Sequence, residues 1–509
     1  MEAWLSLCFI ALSAVLALWF LKPSSRESES KPGKRLPPGP WTLPIIGSLH
    51  HVLSVLPHHT MTELSRRYGP LMLLQLGELP TVVVSSAEAA ALVMKTHDVA
   101  FANRKSSVTL DIAACGGNGI VFAPYGDRWR RMRKICVMEL LSSKCVKRME
   151  GVRAEEVGHL LRSFAASNGA VVNVSEKVSA LSNSVASRAF FGGRLAQQDV
   201  YLREFHQVME LMGGFCLVDL FPSSRLVRWL SNGERRMRKS YGSIRRIIGD
   251  IIERRKAERL AGGACSTEDE GLLDALLRMQ EEDSLASPLT TDAIGTVLFD
   301  ILGAATETTG LVLTWTMSEL MNNPEAMSKA QLEVRGLLGQ DKALITNTHP
   351  LVELHYMQMV IKEVLRLHPP SPLVARAARE DCQIMGYDIL KGTTVYVNVY
   401  AISRDPKYWE NPESFKPERF ETKNMDYNGT YFEFTPFGAG RRQCPGMLFS
   451  SAVMEIVLAN FLYHFDWKLP DGASPTSLDM SEKFGLTVGR KSNLHLKATP
   501  QVWSNVMEI

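Results

Sequence analysis

The chain has 509 residues, of which 45% are hydrophobic and 22% are charged. This composition is that of a globular protein with a sizeable core, so it excludes a disordered polymer, a small binding module and a protein with many membrane spans. The formal net charge of +3, from 57 basic and 54 acidic residues, gives no electrostatic reason to expect a nucleic-acid partner.

The first feature along the chain is an apolar run, residues 3–21. At about 1.5 Å per residue this run of about 19 residues spans roughly 28 Å as a helix, close to the thickness of a bilayer core. A secretory signal peptide is the alternative, but Lys22 and Pro23 stand where a small-residue cleavage site would be expected. Basic residues follow the run and only Glu2 is charged before it, which favours a cytosolic location for the rest of the chain. We therefore predict a single transmembrane anchor over residues 1–21.

Residues 22–40 have the composition of a linker that becomes stiff at its end. In the sequence Leu36-Pro37-Pro38-Gly39-Pro40 each proline fixes φ and disfavours helix before it. We predict a linker and proline-rich hinge over 22–40 and one large domain over 41–509. The eight cysteines show none of the close pairs that disulfide frameworks or zinc sites use, so this domain is expected to be reduced and to face the cytosol.

Two short β-rich runs, residues 71–76 and 81–85, are separated by Gly77 and Pro80 and predict a hairpin. Helical patterns dominate beyond about residue 87, so the predicted fold class is mainly α with small β-sheets (α+β). Residues 235–259 combine Arg and Lys with Ile at helical spacing, which favours a solvated amphipathic helix over a docking patch. Residues 261–288 are expected to form a surface loop around one short helix.

The region Thr291–Asn322 predicts a long helix that is apolar on nearly every face and ends before Pro324. Such a helix crosses the interior of a protein. Its centre is interrupted by Thr306-Glu307-Thr308-Thr309, where burial costs several kcal/mol unless the polar groups are hydrogen bonded. The threonines could bond to the previous turn while Glu307 reaches solvent, or the group could have a function.

Near the other end of the chain, a glycine-rich stretch from Phe437 to Gly446 holds a single cysteine, Cys444, ahead of an apolar helical run. Backbone N–H groups and the positive end of a helix dipole favour a thiolate there. This environment is typical of a sulfur that binds a metal. The alternative is a buried, inert cysteine, the usual state of a free one.

The order of Phe437, Gly440, Arg442, Cys444 and Gly446 resembles the haem-binding signature of the cytochrome P450 superfamily. The resemblance extends over the chain, including anchor and hinge, and is greatest to plant microsomal (A-type) enzymes. It implies a cytochrome P450 fold, a haem-thiolate catalytic domain over 41–509 and haem b as cofactor. Cys444 would be the iron ligand, Phe437 would pack beside its sulfur, and Arg442 would bind a haem propionate.

The resemblance also implies further cofactor-binding residues. Trp129 and Arg133 are spaced i, i+4, so they share one helix face, and they match a Trp-x-x-x-Arg pair that holds the propionates. Arg376 is expected to be another propionate ligand, because two buried carboxylates need such partners. Four basic neighbours could contact an acidic redox partner or simply face solvent: Arg128, Arg130, Arg131 and Lys134.

The motif Glu-x-x-Arg occurs at Glu363 to Arg366, ahead of a helix-stopping proline pair, and the resemblance implies that Arg419 completes this ion-pair cluster. The cluster would hold the core around the haem-binding loop without touching substrate. The same spacing occurs in two other places, which we predict to be exposed helix pairs worth a few tenths of a kcal/mol: Glu63 to Arg66 and Glu150 to Arg153.

The centre of the long helix resembles the oxygen-activation motif of the superfamily, which makes Glu307 and Thr308 the predicted catalytic residues. A carboxyl, a hydroxyl and ordered water can relay protons. Ala305 stands where the common pattern has glycine, and its methyl group narrows the oxygen groove. The resemblance places five mostly apolar residues in the substrate pocket: Phe299, Leu302, Gly303, Val374 and Leu486.

The predicted function is a monooxygenase that hydroxylates a hydrophobic small molecule with O₂ and electrons from NADPH-cytochrome P450 reductase. Within the plant group, the similarity to grass terpenoid hydroxylases favours a terpenoid; phenylpropanoid, indole and oxime substrates are alternatives. A reductase-independent haem-thiolate isomerase or dehydratase and a non-catalytic haem carrier or sensor are the other classes. The expected location is the endoplasmic reticulum membrane, with lipid as a further partner and the catalytic domain on the cytosolic face.

Overall fold

The structure is a computed structural model that describes residues 33–52, 56–261, 271–282, 289–339, 344–346, 350–423 and 425–501. The predicted anchor at 1–21 lies outside the described residues, as does most of the linker. The α-helices are α1 (Leu49–Val52), α2 (Pro57–Tyr68), α3 (Ala87–Ala91), α4 (Val108–Ala114), α5 (Asp127–Cys136), α6 (Ser143–Arg148), α7 (Glu150–Ala165), α8 (Val174–Phe191), α9 (Gln198–Leu211), α10 (Leu217–Leu220), α11 (Arg225–Leu230), α12 (Gly233–Leu260), α13 (Leu272–Glu281), α14 (Thr291–Asn322), α15 (Pro324–Leu338), α16 (His355–Leu367), α17 (Val399–Ile402) and α18 (Met447–His464).

The strands are short and form small sheets. They are β1 (Leu71–Leu76), β2 (Leu79–Val84), β3 (Val171–Asn173), β4 (Leu373–Ala377), β5 (Cys382–Ile384), β6 (Tyr387–Ile389), β7 (Thr394–Asn398), β8 (Phe465–Lys468), β9 (Glu482–Lys483), β10 (Gly489–Arg490) and β11 (His495–Pro500). One sheet has the order β1-β2-β7-β4, in which β2 and β7 are parallel; the others are β3-β11-β8, β5-β6 and β9-β10. The predicted fold class, mainly α with small sheets, is confirmed.

The predicted hairpin is confirmed as β1 and β2, although β2 begins at Leu79 and includes Pro80. Proline lacks the N–H that a strand paired on both sides needs. The pairing of β2 with β7 begins at Thr81, so Pro80 has a strand neighbour on one side only.

The long interior helix α14 has the predicted bounds, and the Thr290 hydroxyl caps it by accepting from the Ala293 N–H at 3.2 Å. It packs most extensively on α8 and also contacts α12, α16 and α18. Among the described residues α14 and α18 are long and apolar enough to cross a membrane, but most of each helix is buried inside the protein. Both are therefore core helices, since an element covered by protein cannot also face lipid.

The proline-rich hinge lies along the sheet side of the molecule. The Arg35 N–H donates to the Asp388 carboxylate at 2.7 Å, and the Leu73 N–H donates to the Pro38 carbonyl at 2.8 Å. These contacts fix the hinge against β6 and β1. The amphipathic helix predicted for residues 235–259 is confirmed as α12, and the short helix inside 261–288 is α13.

Candidate functional site

The loop that carries Cys444 is closed by its own backbone. The Cys444 N–H donates to the Phe437 carbonyl at 2.9 Å, and α18 begins at Met447. Gly440 has φ of 68°, and a Cβ on it would lie 2.1 Å from the Met94 carbonyl oxygen, so only glycine fits. This turn presents Cys444 ahead of the N-terminus of α18.

The Cys444 side chain is exposed, yet burial raises the pKa of its thiol. A side chain can be accessible to solvent and still be surrounded by protein when it faces a cleft inside the molecule. The Gly446 N–H and the Arg133 guanidinium both lower the pKa, as the sequence predicts for a loop that favours thiolate, but burial outweighs them. Coordination to a metal ion deprotonates such a thiol outright.

Trp129 and Arg442 meet at the same backbone carbonyl. Trp129 Nε1 donates to the Ile120 carbonyl at 2.9 Å, and Arg442 Nη1 reaches that oxygen at 3.4 Å. Arg442 also donates to the carbonyls of Ala102 at 2.7 Å and Ala123 at 2.5 Å, and its guanidinium lies 4.3 Å from the Trp129 ring centre. Both side chains are buried. Burial and the nearby cations Arg104 and Arg133 lower the pKa of Arg442 to about 9.

Arg133 connects α5 to the cysteine loop. Its guanidinium donates to the Gln443 carbonyl and lies 5.4 Å from the Trp129 ring centre. Trp129 and Arg133 therefore share a helix face, as their spacing predicts. Phe437 is half-buried, and its ring packs on Tyr427 with centres 5.2 Å apart.

Arg376 on β4 is 1% exposed, and neither Nη atom has a hydrogen-bond partner among the residues that the structure describes. Burial, followed by the charges of Arg104 and Arg442, holds the pKa of Arg376 well below its usual range. Arg104, which sequence reasoning missed, donates to the Val121 carbonyl at 3.2 Å and has a pKa lowered to about 10 by burial and by Arg133. Nothing in its local sequence marks it as a site residue.

The buried arginines near Cys444 can be compared with the charge and the acceptors that a haem would bring. Four guanidinium groups influence one another here: Arg104, Arg133, Arg376 and Arg442. Unpaired cations in a protein interior are costly, and Arg376 still has free donors. A group with two carboxylates placed beside Cys444 would supply the missing charge and acceptors. The donor set therefore fits the haem propionates.

The middle of α14 has one open face. Ala304 is exposed, and Ala305 and Thr308 are half-buried, in a helix whose other residues are mostly buried. The Thr308 hydroxyl donates to the Ala304 carbonyl at 2.8 Å. The methyl group of Ala305 lies on this open side, where the sequence predicts that it narrows the groove.

Glu307 lies on another side of α14, with 9% of its surface exposed. One carboxylate oxygen accepts from Thr487 Oγ1 at 3.4 Å, and the other lies 3.5 Å from His206 Nε2. Burial raises the pKa of Glu307, while His206 and Thr487 oppose that rise. The Glu307 carboxyl thus faces α9 and the segment between β9 and β10.

The five predicted pocket residues have different surroundings. Phe299 is 3% exposed and packs on Phe205 and Tyr241, and Leu302 is 0% exposed. A Cβ on Gly303 would lie 2.4 Å from the Phe205 ring. The structure therefore places these three on the covered side of α14. Val374 and Leu486 are half-buried on β4 and beside α9.

Asp300 is a second residue that sequence reasoning missed. Its carboxylate accepts from the N–H groups of Ile120 at 2.7 Å and Val121 at 2.9 Å, and burial raises its pKa to about 6. A Cβ on Gly119 would clash with this carboxylate at 2.1 Å. Asp300 therefore ties α14 to the loop whose Ile120 carbonyl binds Trp129 and Arg442. The sequence feature that could have identified Asp300 is an acidic residue within an otherwise apolar helix.

The predicted ion-pair cluster is assembled. Arg366 Nε lies 2.7 Å and Arg419 Nε 2.9 Å from the Glu363 carboxylate, and the side chains of Glu363 and Arg366 are 0% exposed. Arg366 also donates to the carbonyls of Ser403 and Pro412 at 2.8 and 2.7 Å. The cluster ties α16 to the segment that precedes the cysteine loop.

The two other occurrences of the Glu-x-x-Arg motif differ in the exposure of their arginines. Glu63 and Arg66 form an exposed pair at 2.7 Å, as predicted. The prediction of an exposed pair is wrong for Arg153, which is 1% exposed and donates to the Val146 carbonyl at 2.6 Å. Helix α7 follows α6 at once, so Arg153 is covered while it satisfies a carbonyl near the end of α6.

Comparisons with known proteins agree with this site. The profile of the family Cytochrome P450 matches residues 37–496. Similar plant proteins are 5-epiaristolochene 1,3-dihydroxylase of Nicotiana tabacum (45% identity; 96% of this chain, 98% of the relative), dolabradiene monooxygenase of Zea mays (46%; 95% and 96%) and desmethyl-deoxy-podophyllotoxin synthase of Sinopodophyllum hexandrum (46%; 96% and 96%). A zebrafish cytochrome P450 structure with abiraterone has a TM-score of 0.74 at 26% identity and covers 88% of this chain and 100% of its own. The chain is a member of the cytochrome P450 family, a monooxygenase with a cysteine-ligated haem iron.

Proposed function

We propose that this monooxygenase hydroxylates a terpenoid, using O₂ and electrons from NADPH that a cytochrome P450 reductase delivers. The observation that carries the proposal is the similarity, at about 45% identity over nearly the whole chain, to the dihydroxylase that acts on 5-epiaristolochene and to dolabradiene monooxygenase. An equally similar relative is named desmethyl-deoxy-podophyllotoxin synthase, which supports a substrate other than a terpenoid as the second candidate.

Cys444 would hold the haem iron, and Trp129, Arg133, Arg376 and Arg442 would bind the propionates, together with Arg104. When bound, the haem supplies the chemistry of dioxygen activation. The guanidinium groups would neutralise the propionates and hold them in place. The Gly446 N–H and the Arg133 cation favour the thiolate form of Cys444.

Thr308 and Glu307 would hold and move protons. Hydroxylation consumes one O₂, two electrons and two protons, and yields one product hydroxyl and one water. The Thr308 hydroxyl lies on the open face of α14, and Glu307 supplies a buried carboxyl with a raised pKa on the adjacent residue. A haem-thiolate isomerase or dehydratase consumes no O₂ and has no use for this pair, which supports the monooxygenase.

The proposed location is the endoplasmic reticulum membrane, with one anchor and the catalytic domain on the cytosolic face. A group of large apolar side chains on α10 and α11 supports contact with lipid. Their exposed fractions are 55% for Leu217, 64% for Leu226, 80% for Trp229 and 67% for Leu230. A patch of this kind marks an interaction site for a membrane or a partner.

The test uses microsomes that contain the protein and its reductase, supplied with a panel of terpene and phenylpropanoid precursors. NADPH- and reductase-dependent hydroxylation of a terpenoid is expected. Product formed without reductase would contradict the monooxygenase assignment, and turnover of phenylpropanoids alone would favour the second substrate class.

Cys444→Ser should lose the red-shifted absorbance band of the reduced carbon monoxide complex. Thr308→Ala should consume NADPH but release hydrogen peroxide, and normal coupling would contradict the proton role.

A further inference from the structure

A histidine on α9 joins the buried carboxyl of Glu307 to the outer surface. His206 Nε2 lies 3.5 Å from Glu307 Oε2. The His206 side chain is 52% exposed, whereas that of Glu307 is 10% exposed. One imidazole therefore contacts both bulk water and the buried acid.

The other groups that face Glu307 come from α9 and from the segment 483–487. Thr487 Oγ1 donates to Oε1 at 3.4 Å, and a hydroxyl can hold the carboxyl in place but does not take up a proton at neutral pH. Lys483 acts on Glu307 from β9 and forms its own ion pair with Glu210. Tyr201 on α9 is fully buried, and burial and Glu307 raise its pKa, so its hydroxyl stays protonated.

Imidazole is the side chain best suited to exchange protons with water between about pH 5 and 8, and His206 places one between bulk solvent and the Glu307 carboxyl. A general acid works best when its pKa lies near the operating pH, because it is then easily loaded and easily discharged. The solvent contact of the imidazole allows reloading, and its Nε2 lies 3.5 Å from Oε2 of Glu307, the proposed acceptor.

We propose that His206 is the residue through which solvent protons reach Glu307. This rests on the proposed proton role of Glu307. In each transfer the imidazolium gives its Nε2 proton to Oε2 of the carboxylate, and the neutral imidazole is then reprotonated by hydronium or a buffer acid in the solvent, which leaves water or the buffer base. No electrons move in this step. His206 acts through Glu307 and is a positioning and proton-loading residue.

The first test compares His206→Gln, which keeps a polar group but cannot be protonated, with the matched control His495→Gln. His495 is an exposed histidine whose ring contacts the Asn493 carbonyl. NADPH consumption, product and hydrogen peroxide are measured from about pH 6 to 8, the range in which imidazole titrates. We expect His206→Gln to lower the ratio of product to peroxide by about tenfold or more and to flatten its pH dependence. Parental coupling and an unchanged pH profile would overturn the proposal.

The second test reads the carboxyl directly in the assembled holoenzyme. The infrared band of the protonated Glu307 carboxyl, assigned by its loss in Glu307→Gln, is followed against pH. Removal of the neighbouring imidazolium should raise the pKa of Glu307, so the band should persist to higher pH in His206→Gln than in the parent. If the Glu307 carboxyl band has the same pH dependence in the parent and in His206→Gln, the contact between His206 and Glu307 is contradicted.

The two proposals fail in different ways. If Glu307→Gln keeps parental coupling, the proton role of Glu307 is wrong. If Glu307→Gln releases peroxide while His206→Gln does not, Glu307 keeps its role and the entry through His206 is wrong.

Discussion

At the residue scale, Arg376 shows how a side chain can be placed for a partner that is not protein. It is 1% exposed, and within the described part of the chain its Nη1 and Nη2 atoms have no hydrogen-bond partner. A buried guanidinium without acceptors destabilises the fold, and the proposed contact with the haem propionates would supply those acceptors. The same residue should therefore have opposite effects on the haem-free and the haem-bound protein.

This predicts that Arg376→Met stabilises the haem-free chain, by about 1–4 kcal/mol, because a charge without a partner is replaced by an apolar group of similar length. The same variant should release haem faster. Urea unfolding of the haem-free protein and transfer of haem to an acceptor protein measure the two effects. Arg379→Met, at a more exposed arginine three residues on, is the control. Unchanged haem release would contradict the propionate contact.

At the element scale, two buried carboxylates join segments that are far apart in the chain. Glu363 binds Arg366 on its own helix and Arg419 beyond it, and Asp300 binds the N–H groups of residues 120 and 121. The first ties α16 to the segment ahead of the cysteine loop, and the second ties α14 to the propionate side of the site. We expect both carboxylates to stabilise the fold around the cysteine loop and the arginines beside it.

Glu363→Ala should lower the free energy of unfolding by about 3–5 kcal/mol, because it leaves two buried guanidinium groups without their carboxylate. The control is Glu63→Ala, which removes the acid of a pair with the same spacing whose side chains are about two-thirds exposed. Glu63→Ala should leave the free energy of unfolding unchanged within error, because water screens the exposed ion pair. Chemical denaturation of the holoenzyme compares the two, and equal losses would contradict the structural role of the cluster.

Asp300 predicts a pH dependence of stability. Its pKa in the folded protein is about 6, above the usual 3.8, because of burial. The folded state therefore holds this proton more tightly than the unfolded state, and its contribution to stability falls as pH rises from about 4 through 6. Asp300→Asn removes the titration, and its amide oxygen keeps the acceptor for both backbone N–H groups, because both donate to the same oxygen of Asp300. The difference in unfolding free energy between the variant and the parent should shift in favour of the variant by up to roughly 3 kcal/mol between pH 4 and 7. A constant difference would refute the titration.

At the scale of the whole molecule, the proposed orientation on the membrane connects the anchor, the hinge and the exposed apolar patch on α10 and α11. Arg35 and Pro38 of the predicted hinge are hydrogen bonded to the sheet side, so the proposed tether would limit how the domain can tilt. A short tether together with an apolar patch would hold one face of the domain against the bilayer. That topology leaves both glycosylation sequons of the domain in the cytosol.

We therefore expect Asn173 and Asn428 to remain without glycan when the protein is expressed in eukaryotic cells. Both are ordered in the fold: Asn173 caps α8 by accepting from the Glu176 N–H at 3.2 Å, and Asn428 donates to Asp426 at 2.6 Å. Endoglycosidase digestion followed by electrophoresis makes the measurement. A sequon engineered onto an extension ahead of residue 1 is the control and should be modified. Glycan on either natural asparagine would overturn the proposed topology.

The sequence by itself determined the features that depend on neighbours along the chain. The bounds of α14 follow from its capping threonine and Pro324, the cysteine loop follows from its glycines, and the shared face of Trp129 and Arg133 follows from helical spacing. Only the tertiary structure decided what covers each face, because that depends on which distant element packs there. It buried Arg153, placed Phe299 and Leu302 behind Phe205 and Tyr241, and set His206 against Glu307 across about 100 residues of chain.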